Sequence, residues 1–232
     1  MNNNLYDEKL FEQYKQVFDQ IGKRIGEDDF RTLRLFDIKL RLALGIIIDF
    51  DSTISYTRTK ITRETYISLV KLTELWNAYE SFLQFTGVFF GEKNKYNIIK
   101  NNDINNNETK NILSGALETL KKYYNENDGF KRDFDILIKR LRIKAMNRDQ
   151  DENLKKYNKL IKYLQTGSEK DIITIIELIY VFRNLFYHTG ETGQMGAKNL
   201  NNRKKVIDLC RKTITNYMLC VSIILIKKII AF

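Results

Sequence analysis

Proline is absent from all 232 residues, and glycine occurs only 11 times. The chain therefore lacks the residue that fixes φ and removes a backbone donor, and it has few of the residue that permits left-handed turns. A sheet protein with many tight turns is disfavoured, and an all-α fold is predicted. Cysteine occurs twice, as Cys210 and Cys220, both inside one apolar helical pattern. That excludes a disulfide scaffold and reads as two core thiols of a reduced, cytoplasmic protein. A structural zinc wants four nitrogen or sulfur ligands, which these two thiols and the lone histidine cannot supply, so neither metal nor cofactor is expected. A basic-then-apolar leader is missing from Met1 to Leu5. The most apolar run, Met218 to Ile226, is about nine residues against the ~20 of a spanning helix, and no membrane partner is expected.

What is present is charge and periodicity. The formal net charge is +10 and the isoelectric point about 9.4, which favours an anionic polymer as partner. At 43% hydrophobic residues the chain can bury a core, and the whole of 1–232 is read as one helical domain. Apolar residues recur at helical spacing in Leu10, Tyr14, Val17 and Ile21, in Leu33, Phe36, Leu40 and Leu44, and in Ile67, Val70, Leu75, Tyr79 and Phe82. These patterns predict a first helix that breaks at Gly22 to Gly26, a second from Phe30 to Phe50, and a long third from Thr62. From 91 to 108 the pattern dissolves into Asn and Lys, which predicts a loop without a packed face. Periodicity resumes in 109–167, a candidate inserted helical lobe. Residues 168–230 supply a helix opened by Ser168 and Asp171 in the manner of a capping box, a polar loop from Thr189 to Asn202, and a final helix from Arg203 to Ile230.

The single histidine, His188, stands five residues after Arg183 at the end of an apolar helical pattern. Histidine changes charge near neutral pH, and arginine presents a donor fork that matches phosphate, so the pair suits phosphodiester chemistry. At about 100° per residue, Glu177, Tyr180, Asn184 and His188 share one helix face, with Arg183 and Tyr187 on the adjacent row. A helix C-terminus also favours the imidazolium. The plainer reading is that Arg183 and His188 merely cap a helix. Acidic runs such as Asp133/Asp135 and Asp149 to Glu152 read as solvated helix ends. Arg203, Lys204 and Lys205 lie just beyond the motif loop, where they could steer phosphate, and a second basic run is Lys139, Arg140, Arg142 and Lys144.

Arg183-Asn184-Leu185-Phe186-Tyr187-His188 resembles the R-x4-6-H motif of HEPN domains, the helical ribonuclease fold of prokaryotic toxins and antiviral defence proteins. Asn184 matches the family's polar residue after the arginine, and one more helix follows the motif, as in that family. Leu75 to Glu80 is a weaker echo of the second HEPN helix and would bring Glu80 to the site. The resemblance implies a HEPN-like antiparallel helical bundle with an additional helical insertion. It also implies metal-independent cleavage of RNA by the ribose 2′-OH, leaving 2′,3′-cyclic phosphate ends. In that reading Arg183, His188 and Asn184 are catalytic, Tyr187, Tyr180, Glu177 and Glu80 support them, and Arg203, Lys204 and Lys205 bind RNA. One histidine per chain implies a homodimer with a composite site, because in-line cleavage wants an acid and a base. An antitoxin or a guide or regulatory RNA would restrain the activity. Two other readings stay open: a HEPN-like module that binds RNA or protein without cutting, and a helical interaction protein unrelated to RNA.

Overall fold

The computed structural model describes residues 6–22, 30–49, 60–94, 97–98, 101–102, 104–147, 151–168, 175–180 and 199–231. Among these residues there is no strand, and the all-α expectation holds. The helices are α1 (Glu8–Gly22), α2 (Arg31–Gly45), α3 (Lys60–Phe90), α4 (Asn107–Glu126), α5 (Asp128–Met146), α6 (Asp151–Thr166) and α7 (Leu200–Ala231). Residues 175–180 are also helical.

The asparagine-rich composition acquires a structural role at the helix starts. Asn106 Oδ1 accepts the Thr109 amide at 3.0 Å, Asn127 Oδ1 accepts that of Phe130 at 2.8 Å, and Asn199 Oδ1 accepts that of Asn201 at 3.0 Å. Asp7 does the same for α1, taking the Lys9 amide at 2.9 Å. Each carboxylate or amide oxygen satisfies a first-turn donor that would otherwise lack an intrahelical partner.

The long helix α3 ends where glycine allows it. Glu92 donates its amide to Gly87 O at 2.9 Å, Gly91 donates to Val88 O at 3.3 Å, and Gly91 has φ +63°. This is the paired closure of a Schellman end, in which a left-handed residue turns the last carbonyls back onto the chain. A Cβ on Gly87 would lie 2.6 Å from Glu92 O, so the close return of the backbone needs glycine there too.

The chain forms two compact units. The first takes Met1–Ile47, Lys71–Leu113 and Arg211–Phe232, and the second takes Ile48–Val70 and Ser114–Cys210. In the first, Tyr14, Phe36, Phe82 and Tyr217 form a chain of aromatic rings, with centroids 6.1 Å apart from Tyr14 to Phe36, 5.6 Å from Phe36 to Phe82 and 6.1 Å from Phe82 to Tyr217. All four are buried, and each large aromatic contributes about 1.5–3 kcal/mol on leaving water. Asp37 is buried in this unit with its partners supplied: Tyr14 Oη donates at 3.0 Å and Arg41 Nε at 2.8 Å. In the second unit, Phe130 and Phe134 stack at 5.9 Å beside Tyr124, and α5 packs on α6.

Helix boundaries and packing differ from the sequence reading in several places. Helix α2 stops at Gly45, short of Phe50, and Ile46 is extended at φ −61°, ψ 126°, as suits a β-branched residue after glycine. Helix α7 starts at Leu200, three residues before Arg203, because Asn199 caps it. The asparagine-rich connection does hold a packed face: Ile98 and Ile104 are 2% and 1% exposed. These two buried isoleucines, six residues apart, do not make a helical period. Helix α7 is also longer and more apolar than the Met218–Ile226 run suggested; by length and composition it could cross a bilayer, yet 61% of its most apolar stretch is buried inside the fold.

Candidate functional site

Residues 175–180, the described helical stretch that precedes Arg183 in the sequence, sort their side chains as the helical spacing demands. Ile175, Ile176, Leu178 and Ile179 are buried, whereas Glu177 is half-buried and Tyr180 is 48% exposed. Glu177 and Tyr180 therefore share the face turned from the core. Arg183, Asn184, Tyr187 and His188 fall outside the described residues, as does Asp171 of the expected capping box.

Helix α6 supplies two residues that sequence spacing did not single out. Lys156 Nζ lies 2.8 Å from Glu177 Oε1. Tyr157 is pushed up to about 12 by burial, with smaller contributions from the Glu177 carboxylate and Tyr180. Lys156, Tyr157, Glu177 and Tyr180 thus form one cluster on the second unit, with an ion pair at its base and a half-exposed phenol ring at its edge. Nothing in the sequence links 156 to 177, because the contact joins two helices and has no local period.

The three basic residues at the start of α7 have different surroundings. Arg203 is buried, at 8% exposure. Lys204 Nζ pairs with Asp208 Oδ2 at 2.8 Å, and Asp208 Oδ1 accepts the Ser68 hydroxyl at 2.9 Å. Lys205 is exposed and lies over the Tyr123 ring, 5.8 Å from its centroid. Lys205 is thus the one of the three placed to meet a phosphate from solvent.

Glu80 lies in the first unit, on α3, where its Oε1 accepts the indole N–H of Trp76 at 3.0 Å. The acidic pair Asp133/Asp135 has structural partners: Asn202 Nδ2 donates to Asp133 Oδ2 at 3.0 Å, and Tyr124 Oη donates to Asp135 Oδ1 at 2.8 Å. On α5, Lys139, Arg140 and Arg142 are exposed. Cys210 and Cys220 are both buried free thiols, and burial pushes each up. Among the described residues, no group of three or more His, Cys, Asp or Glu is placed to hold a metal ion.

No protein-family model, curated protein or solved structure matches the chain.

Proposed function

We propose that this chain is a metal-independent endoribonuclease of the HEPN type, acting in prokaryotic defence or as a toxin in the cytoplasm. The observation that carries the reading is the run Arg183 to His188, with Asn184 after the arginine and the chain's only histidine at its end. The all-α architecture agrees with it, as does a helix face on which Glu177 and Tyr180 look away from the core. On this reading the bundle is HEPN-like and antiparallel, with the helices of 109–167 as its insertion.

His188 takes the proton from a ribose 2′-OH, whose oxygen attacks the adjoining phosphorus. The P–O5′ bond breaks, the leaving oxygen receives a proton, and a 2′,3′-cyclic phosphate remains. Arg183 neutralises the charge that builds on the phosphorane oxygens, where a donor aimed at the transition state counts most. Asn184 orients the imidazole or bonds a phosphate oxygen, and Tyr187 and Tyr180 offer rings for stacking a base. The second acid–base histidine comes from the other copy of a homodimer. An antitoxin or regulatory RNA acts as the restraint.

The test is cleavage of a mixed RNA pool in EDTA by the wild type, Arg183→Ala and His188→Ala, with product ends identified. Cyclic-phosphate ends lost by about 10²–10⁴-fold in both variants are the expected result. Folded wild-type dimer that binds RNA without cutting would move the assignment to a binding module.

A further inference from the structure

Helix α2 carries two apolar faces. Leu33, Phe36, Leu40 and Ala43 are buried, and opposite them Leu35, Ile38 and Leu42 are 40%, 56% and 66% exposed. Spaced three and four apart, these three form one outward stripe two turns long. The chain then runs through Gly45 to Ile47, which is 90% exposed. Of the large apolar side chains exposed among the described residues, four lie within these thirteen positions from Leu35 to Ile47.

The frame around the stripe is cationic. At about 100° per residue, Lys39 flanks it on one side and Arg34 and Arg41 on the other, Arg41 being already paired with Asp37 at 2.8 Å, and Arg31 lies at its N-terminal end. The only acidic residue of α2, Asp37, is buried on the inner side, where Tyr14 and Arg41 hold it. The exposed face of the helix thus combines aliphatic side chains with basic ones and presents no carboxylate of its own.

We propose that this face docks on an anionic lipid bilayer, with Leu35, Ile38, Leu42 and Ile47 at the acyl boundary and the basic flanks among the phosphates. An aliphatic stripe within an arginine and lysine frame is what an interfacial helix needs: apolar area to insert, and long cationic stems that reach the headgroups. A second copy fits less well, since the only carboxylate of α2, Asp37, is buried and α2 has no exposed acid to meet the lysine and arginine of a second α2. RNA also fits less well, because the stripe offers no ring to stack and no donor for a base. This assignment departs from the sequence expectation of no membrane partner and does not depend on the ribonuclease reading.

The test is flotation of the full chain with vesicles of equal parts phosphatidylcholine and phosphatidylglycerol, beside vesicles of phosphatidylcholine alone. The wild type is expected to float with the mixed vesicles, to be left behind by the neutral ones, and to be released by molar salt. The double variant Ile38→Asp/Leu42→Asp is expected to lose at least about tenfold in vesicle partitioning with unchanged circular dichroism and melting. Arg31→Glu/Lys39→Glu is expected to weaken it similarly, and Ile143→Asp, at an exposed aliphatic on α5, to leave it unchanged. Absence of flotation, equal binding to neutral vesicles, or equal binding by the double aspartate variant would overturn the proposal. A wild-type dimer that the double variant splits, without vesicle binding, would also overturn it and assign the face to a second copy.

Discussion

Lys156 holds Glu177 at 2.8 Å, and so ties α6 to the helical residues that precede Arg183 in the chain. The pair is partly exposed, at 37% and 24%, so its net contribution is about 0.5–1 kcal/mol after screening. Glu177→Gln should lower the Tyr157 pKa from about 12, yet leave it above the ordinary tyrosine value, because burial is the larger cause. Titration of ring-labelled tyrosine by NMR reads this directly. An unchanged Tyr157 would mean that the carboxylate does not reach it.

Alkaline pH should destabilise the second unit through its buried tyrosines. Tyr157 and Tyr163 both stand at about 12, against an ordinary value near 10, chiefly through burial. A phenol whose folded pKa is raised adds stability that is fully present below about pH 10 and is lost as pH rises toward 12. Chemical denaturation at stepped pH should show flat stability from neutral pH to about 9 and a decline between about 10 and 12, accompanied by phenolate absorbance.

Asp37→Ala removes the acceptor of both Tyr14 and Arg41. The Tyr14 hydroxyl is then buried without its partner, and the loss should be about 2–4 kcal/mol, read as a lower denaturant midpoint. Asp37→Asn keeps the shape and one acceptor, and should cost less.

Gly91→Ala should cost about 1 kcal/mol, since φ +63° suits glycine and the space around it is open. Gly87→Ala should cost more, because the added methyl meets Glu92 O at 2.6 Å and the α3 terminus must rearrange. Melting temperatures of the two variants rank them, and the reverse order would show that conformation outweighs the close approach.

If RNA is the substrate, Lys205→Ala should weaken binding about uniformly across sequences and reduce the salt slope by about one. Lys204→Ala should change RNA affinity less, because Asp208 already neutralises that ammonium at 2.8 Å. Equal effects from the two would refute the distinction drawn from their surroundings.

Most of the helices could be read from the chain, because their apolar residues repeat at the helical period over long windows. Helix α3 begins two residues before the expected Thr62 and ends at Phe90, just where Gly91 announced it. What could not be read was set by single side chains or by contacts between helices. The start of α7 depends on one asparagine at 199, and among the described residues of the Asn-rich connection the buried ones are Ile98 and Ile104. At the candidate site, the outward positions of Glu177 and Tyr180 followed from spacing. The Lys156 partner did not, since nothing local in sequence couples positions on different helices. Burial of Arg203 beside exposed Lys205 was equally hidden, because neighbours in sequence point to different sides of a helix.

The aromatic chain of the first unit ends on Tyr217, in a helix made long after the residues it stacks against. During synthesis, Tyr14, Phe36 and Phe82 must wait for more than a hundred further residues before that ring arrives. Such a core has a high contact order and closes late. The first unit therefore stays unfinished while the chain is being made, and its core closes only once α7 has been translated.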